Sequence, residues 1–286
     1  MRVYSGEFTK IYDPSVVDEV TGDVWPWYIN DHTIIKGPDG WHLFGITHEE
    51  PADPLNEKNL AHAIGEKLTQ GMWKKLPYAL RYSPADNETH LWAPHVILVD
   101  GLYYMYYCAG SPFGNDTYRI HLATSPDLYN WTRHPENPMV IDGFDARDPM
   151  VFRVGDEWVM YYTCNASPKG GCHCVACVRS KDLIHWDGKR NVFIDPIVGT
   201  CAGPCESPFV IKHGEKYLLF IGPRNLYSET GVFVSDDPFH FNIMNQVGTI
   251  PSHAAEIVED DDGKLYITRC GWGEGGVYIA PLYIED

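Results

Sequence analysis

No segment of the 286-residue chain approaches the roughly 18 consecutive apolar residues of a membrane span. The first ten residues, MRVYSGEFTK, hold no apolar leader. The expectation is a soluble, cytoplasmic protein without a membrane partner. Basic residues are scarce, with 22 Lys and Arg against 39 Asp and Glu and a net charge of −17. That balance repels polyanions, which excludes nucleic acid and favours a neutral partner. Long helical periodicity is missing as well; segment 57–73 is mildly helical, but it matches a strand phrase of the repeat described below. Charge density is too low for disorder, at 21% charged against 44% apolar residues.

Aromatic residues, glycine and proline are plentiful: 18 Tyr, 9 Trp, 26 Gly and 21 Pro. This is the composition of many short strands joined by tight turns. A phrase recurs. His121-Leu-Ala-Thr-Ser125-Pro-Asp127-Leu128 through Trp131 returns as Ala176-Cys-Val-Arg-Ser180-Lys-Asp182-Leu183 through Trp186, at a spacing of 55 residues. A weaker copy surrounds Ser235. Each copy follows a pair of strands joined at a Gly or Asp turn, starting near Asp31, Trp92, Asp148, Glu206 and His253. Five units of about 50 residues, each with about four strands, predict an all-β, five-bladed β-propeller. The five units use nearly the whole chain, so residues 1–286 are expected to form one catalytic domain. Residues 3–12 are placed to complete the short fifth blade.

The first strand of each blade lines a propeller's axis, so residues at equivalent strand starts converge at one mouth. Those residues are Asp31, the Trp92-Pro94-His95 group, Asp148, Glu206, and His253 with Glu256. Crowded carboxylates push at least one pKa upward. A protonated acid beside an ionised carboxylate is what glycosidic bond cleavage requires. The plain alternative is that each acid caps a turn at the start of a strand.

Asn30-Asp31, Arg147-Asp148-Pro149 and Glu206-Ser207-Pro208, with Trp92-Ala93-Pro94 between them, resemble the motifs of the furanosidase superfamily of five-bladed propellers. This superfamily includes glycoside hydrolase families 43, 62, 32 and 68. The resemblance spans about residues 25 to 283 and agrees in blade order. It implies Asp31 as general base or nucleophile, Asp148 as the carboxylate that orients substrate and tunes pKa, and Glu206 as general acid. Asn30, Trp92, His95, Arg147 and His253 are the candidate substrate-binding residues. The late His253 and the Trp-Ala-Pro sequence look like family 43, whereas Asn-Asp and Arg-Asp-Pro are similar to the fructosidase families. Asp31 lacks the Pro-Asn-Gly that follows the fructosidase aspartate. The resemblance implies no required cofactor; in family 43 a histidine near the axis often sits by a bound calcium, and His253 is the candidate here.

The combined expectation is an exo-acting, inverting hydrolase of terminal furanosyl or pentosyl residues, similar to an arabinofuranosidase or xylosidase and acting on an oligosaccharide or polysaccharide-derived substrate. The alternatives are a retaining β-fructofuranosidase-type hydrolase, a non-catalytic glycan-binding propeller, and a phosphorylase needing a basic cluster from Arg147, Lys169 and Arg224. Trp25, Trp27 and Trp92 could stack on a sugar or pack between blades, whereas Trp131 and Trp186 read as structural. The eight cysteines are expected to be mostly free thiols. Cys172, Cys174, Cys201 and Cys205 are the group to examine for zinc or disulfides.

Overall fold

The computed structural model describes residues 1–15, 22, 26–111, 114–199, 203–224 and 227–286. The side chains of 114–117 are also outside the description, as are Trp25 and Cys201. The fold is all-β, with the blades of a propeller. Blade 1 contains Trp27–Lys36, Trp41–Glu49, Asn59–Gly65 and Lys74–Arg81. Segment 57–73 is therefore a strand followed by a turn. Blade 2 contains Leu91–Val99, Leu102–Ser111 and Gly114–Ser125, then two short strands, Thr132–Arg133 and Val140–Ile141, on the outer edge. Blade 3 contains Arg147–Val154, Glu157–Ser167, Gly170–Ser180 and Asp187–Val198. Blade 4 contains Glu206–His213, Lys216–Arg224, Glu229–Ser235 and Gln246–Ile250.

Blade 5 contains Ile257–Glu259, Leu265–Arg269 and Val277–Glu285, and the start of the chain finishes it. Thr9–Tyr12 and Arg2–Ser5 both pair antiparallel with Val277–Glu285. Val3 also pairs with Gly248 of blade 4 in parallel register, so this strand bridges the outer edges of blades 4 and 5, and the pairing of the chain's first strands with its last closes the ring.

Turn chemistry explains the repeat. The hairpin glycines Gly101, Gly155, Gly214 and Gly263 sit at φ of 79°, 60°, 56° and 77°, a region that glycine reaches without a Cβ clash. In the Ser-x-Asp-Leu phrase, Ser180 Oγ accepts the N–H of Asp182 and of Leu183, and Asp182 Oδ1 accepts the N–H of Ile184 and of His185. Ser125 and Asp127 repeat those bonds one blade earlier. The turn drives Leu128 and Leu183 into the core, each at φ 69°. It also sets the following tryptophan against the preceding blade: Trp131 meets Phe44 edge-on, and Trp186 meets Tyr106 edge-on. Both tryptophans are structural. The second strands lie between neighbouring blades, which is why they read as aromatic runs; Tyr106, Tyr107, Tyr161, Tyr162 and Phe220 are fully buried.

Candidate active site

The first strands of blades 1 to 4 share one irregularity. Their pairing slips between Asn30 and His32, Trp92 and His95, Arg147 and Met150, and Glu206 and Phe209. Each slip is a β-bulge, and a bulge re-aims the side chains on either side of it. Ala93, Asp148, Ser207 and, in blade 5, Ala254 adopt the same left-handed backbone, at φ 43° to 53°. Backbone strain of this kind costs on the order of 1–3 kcal/mol per residue and gathers at functional sites.

The bulges build two tiers around the axis. Asn30, Trp92, Arg147, Glu206 and His253 line the wall of a cavity of about 180 Å³. One residue further along each blade, Asp31, Ala93, Asp148, Ser207 and Ala254 surround a smaller cavity of about 20 Å³ beneath it. Asp31 and Asp148 reach both cavities. The blade-4 equivalent of these aspartates is thus Ser207, and Glu206 stands one tier above them. Three carboxylates from blades 1, 3 and 4 meet at one cavity despite their separation in sequence.

Arg147 is the cation of the cluster. Its Nε donates to Asp145 Oδ1 at 2.9 Å, and its Nη1 donates to Glu206 Oε1 at 2.8 Å and approaches Asp148 Oδ2 at 3.5 Å. Its buried Nη2 has no protein partner among the described residues. Asp148 Oδ2 also accepts from Thr163 Oγ1 at 3.1 Å and from the Ser207 N–H at 3.0 Å. Ser207 Oγ donates to Asp31 Oδ1 in a short hydrogen bond. One guanidinium cannot neutralise this many acids. Burial pushes Asp31 well above the usual carboxylate range and the Asp148 charge adds to it, while the Ser207 hydroxyl opposes. Burial also raises Glu206, against the pull of Arg147 and with the Asp148 charge reinforcing it. Burial lifts Asp145 to about 7 even with Arg147 beside it.

The remaining wall comes from outer strands and loops. Ile46, Pro54, Glu57, Tyr118, Tyr227 and Trp272 complete the cavity lining. Tyr227 stands near enough to Glu206 to oppose the rise in its pKa and meets His253 edge-on, 5.0 Å between ring centroids. Trp92 stacks on His90 at 3.9 Å and is flanked by Tyr118 at 4.9 Å. Of these upper-wall residues only Trp92 is marked by the repeat. Glu57 is the carboxylate that sequence reasoning missed: it is 1% exposed, and burial pushes it up to about 7.

Some candidates lie elsewhere. His95 lines neither cavity; it is buried, with Nε2 3.3 Å from the Val151 carbonyl and its ring edge-on to Phe209. Trp27 packs on His48 rather than on the cavity, and Trp25 is outside the described residues. His32, at the smaller cavity, is held by Cys270 and Thr268. Calcium needs six to eight oxygen ligands. Among the described residues no three His, Cys, Asp or Glu side chains converge to hold a metal, so the donor set around His253 does not fit a calcium held by protein side chains. None of the seven described cysteines is in a disulfide. Cys174 stands directly opposite Cys164 across two strands and donates to the Cys172 carbonyl, while Cys201 lies outside the description.

Residues 27–199 match the family model described as Glycosyl hydrolases family 32 N-terminal domain. The chain belongs to this family. Its fold is that of the five-bladed propeller superfamily shared by glycoside hydrolase families 32 and 43. A thermostable family-43 glycoside hydrolase superposes with a TM-score of 0.70, at 19% identity and over 94% of this chain and 93% of that one. In sequence, the chain is 28% identical over 217 residues to the extracellular exo-α-(1→5)-L-arabinofuranosidase ArbA of Cellvibrio japonicus, covering 67% of this chain and 58% of that protein. It is 33% identical over 210 residues to the arabinan endo-1,5-α-L-arabinosidase A of Aspergillus niger, covering 68% and 63%. The chain thus spans roughly three fifths of these two relatives. The expectation of a cytoplasmic protein is overturned, because ArbA is an extracellular enzyme. That expectation rested on the start of the chain, which is no guide to compartment.

Proposed function

We propose that this member of the family is a glycoside hydrolase that releases terminal pentofuranosyl residues, of the α-L-arabinofuranosidase kind, with inversion. The observation that carries the reading is the meeting of Asp31, Asp148 and Glu206 at one aromatic-walled cavity of about 180 Å³. Such a cavity has room for about one sugar ring, which favours exo action. The two relatives described above act on α-1,5-linked L-arabinofuranosyl chains, which favours arabinose over xylose or fructose.

In this mechanism Glu206, kept protonated by burial and by the Asp148 charge, gives its proton to the glycosidic oxygen as the bond to the anomeric carbon breaks. Asp31 takes a proton from a water molecule, whose oxygen bonds to the anomeric carbon from the opposite face. Asp31 must be ionised to do so, and the Ser207 hydroxyl favours that form. Asp148, fixed by Thr163 and the Ser207 N–H, stays beside the acid and holds its pKa up. Arg147 Nη2 is left to meet a sugar hydroxyl. Phosphate is disfavoured as the acceptor, since Arg224 is engaged by Asp195 at 2.7 Å and Arg147 by three carboxylates. Incubation with arabino-oligosaccharides, xylosides and fructose oligomers tests the substrate. Proton NMR of the first-formed anomer tests inversion, and a retained configuration would make Asp31 a nucleophile.

A further inference from the structure

Glu57 sits on the cavity wall at the end of the first-blade loop, and nothing in the hydrolytic mechanism uses it. Its position is unusual for a carboxylate. It has no cationic partner among the described residues, and its hydrogen-bond donors are all aromatic. Glu57 Oε1 accepts from the Tyr28 hydroxyl at 2.7 Å and from Trp272 Nε1 at 3.2 Å. The Trp92 indole, beside them on the wall, spends its N–H on the Pro54 carbonyl at 3.1 Å. The two donors to Glu57 come from blade 1 and from the loop before the last strand of blade 5. Trp92 and Trp272 both line the cavity, and Trp272 is 43% exposed at its rim.

An indole N–H only donates, and the tyrosine hydroxyl is here spent as a donor. The group that gathers both must therefore offer acceptors. A carboxylate does so, with about four lone-pair sites; an amide gives up half of them and can present an N–H₂ to the Trp272 indole. An apolar residue would leave the buried Tyr28 hydroxyl without its partner. The same carboxylate approaches Asp31 closely enough for its charge to raise that group. It thus adds negative charge to a cluster already short of cations, a cost that the Tyr28 and Trp272 hydrogen bonds offset.

We propose that Glu57 is a positioning residue that fixes the indole of Trp272 as a sugar-contacting wall of the cavity and thereby sets substrate affinity. This rests on the pentofuranoside reading of the cavity. Because it acts through ring placement in ground and transition states alike, its loss weakens binding without slowing the chemical step.

The test uses Glu57→Gln, Trp272→Phe and the double variant. In the free protein labelled at indole nitrogen, Glu57→Gln shifts the N–H resonance of Trp272 and leaves the indoles remote from it in place. With arabinotriose, Glu57→Gln raises Kd by about 10-fold, and on 4-nitrophenyl α-L-arabinofuranoside it raises KM similarly while kcat stays within about 3-fold. Trp272→Phe keeps the ring but removes the N–H; it raises Kd by a smaller factor, and the double variant binds more tightly than the product of the two single losses predicts. A fall in kcat at constant KM, fully additive losses, or an unmoved Trp272 resonance would overturn the proposal. If Glu57→Gln does not fold, Trp272→Phe decides alone, and unchanged arabinotriose binding then refutes the clamp. A shifted Trp272 resonance in a protein whose wild type ignores arabinotriose would mean that the substrate reading had failed rather than the clamp.

Discussion

Replacing Glu206 by glutamine separates acid catalysis from architecture. The glutamine carbonyl can still accept from Arg147 Nη1, which is 2.8 Å from Oε1 in the native chain, so the wall of the cavity keeps its shape. What disappears is the transferable proton. General acid catalysis contributes about 10²–10⁴-fold. At 1.36 kcal/mol per decade, this raises the barrier by about 3–5 kcal/mol on a natural arabinoside, whose leaving group is an alkoxide. A 4-nitrophenolate leaves with little help, so on the aryl glycoside the loss stays within about tenfold. Glu206 is already uncharged where Asp31 titrates, so the acid limb of the kcat/KM profile holds, while the basic limb, which reports the loss of the Glu206 proton, disappears. The assay is kcat/KM against pH on arabino-oligosaccharide and aryl arabinofuranoside in parallel. Equal losses on the two substrates, or a basic limb that survives the substitution, would refute the assignment.

Ser207→Ala removes the hydroxyl that stabilises ionised Asp31. A hydrogen bond to a charged group is worth about 1.5–3 kcal/mol, so the acid limb shifts up by about one pH unit or more; an unmoved limb would show that Asp31 is not the base. Ser180→Ala strips the acceptor from the N–H of Asp182 and of buried Leu183, and urea denaturation should show a loss of about 1–2 kcal/mol with activity retained. A midpoint unchanged within error would mean that the repeated phrase does not hold its turn.

The propeller was legible because its turns are chemical. Ser125-x-Asp127 and Ser180-x-Asp182 bind their own backbone, and the tryptophan that follows each docks on the blade before, so the same residues must return at the same spacing. Asp31, Asp148 and Glu206 were legible because strand starts share one mouth. Their tiers were not: a bulge adds one residue to the strand, and alignment by Asp and Glu alone matched Glu206 with Asp148 when Ser207 is the equivalent position. The same bulge leaves His95 below the cavity that Trp92 lines. Glu57, Tyr118, Tyr227 and Trp272 lie outside the periodic phrases, three of them on or beside connections whose conformation follows from tertiary contacts. An acid after Leu55-Asn56 carries no local mark that an indole from blade 5 will point at it.

The most direct measurement is sugar released from arabino-oligosaccharide by the wild-type chain and by Asp31→Asn, each checked for fold by circular dichroism. Wild type releases arabinose, and the folded Asp31→Asn variant loses activity by at least two orders of magnitude, as expected when the base that activates water is removed. A well-folded wild type that frees no pentose from any substrate tested, or an Asp31→Asn variant as active as wild type, would contradict the account.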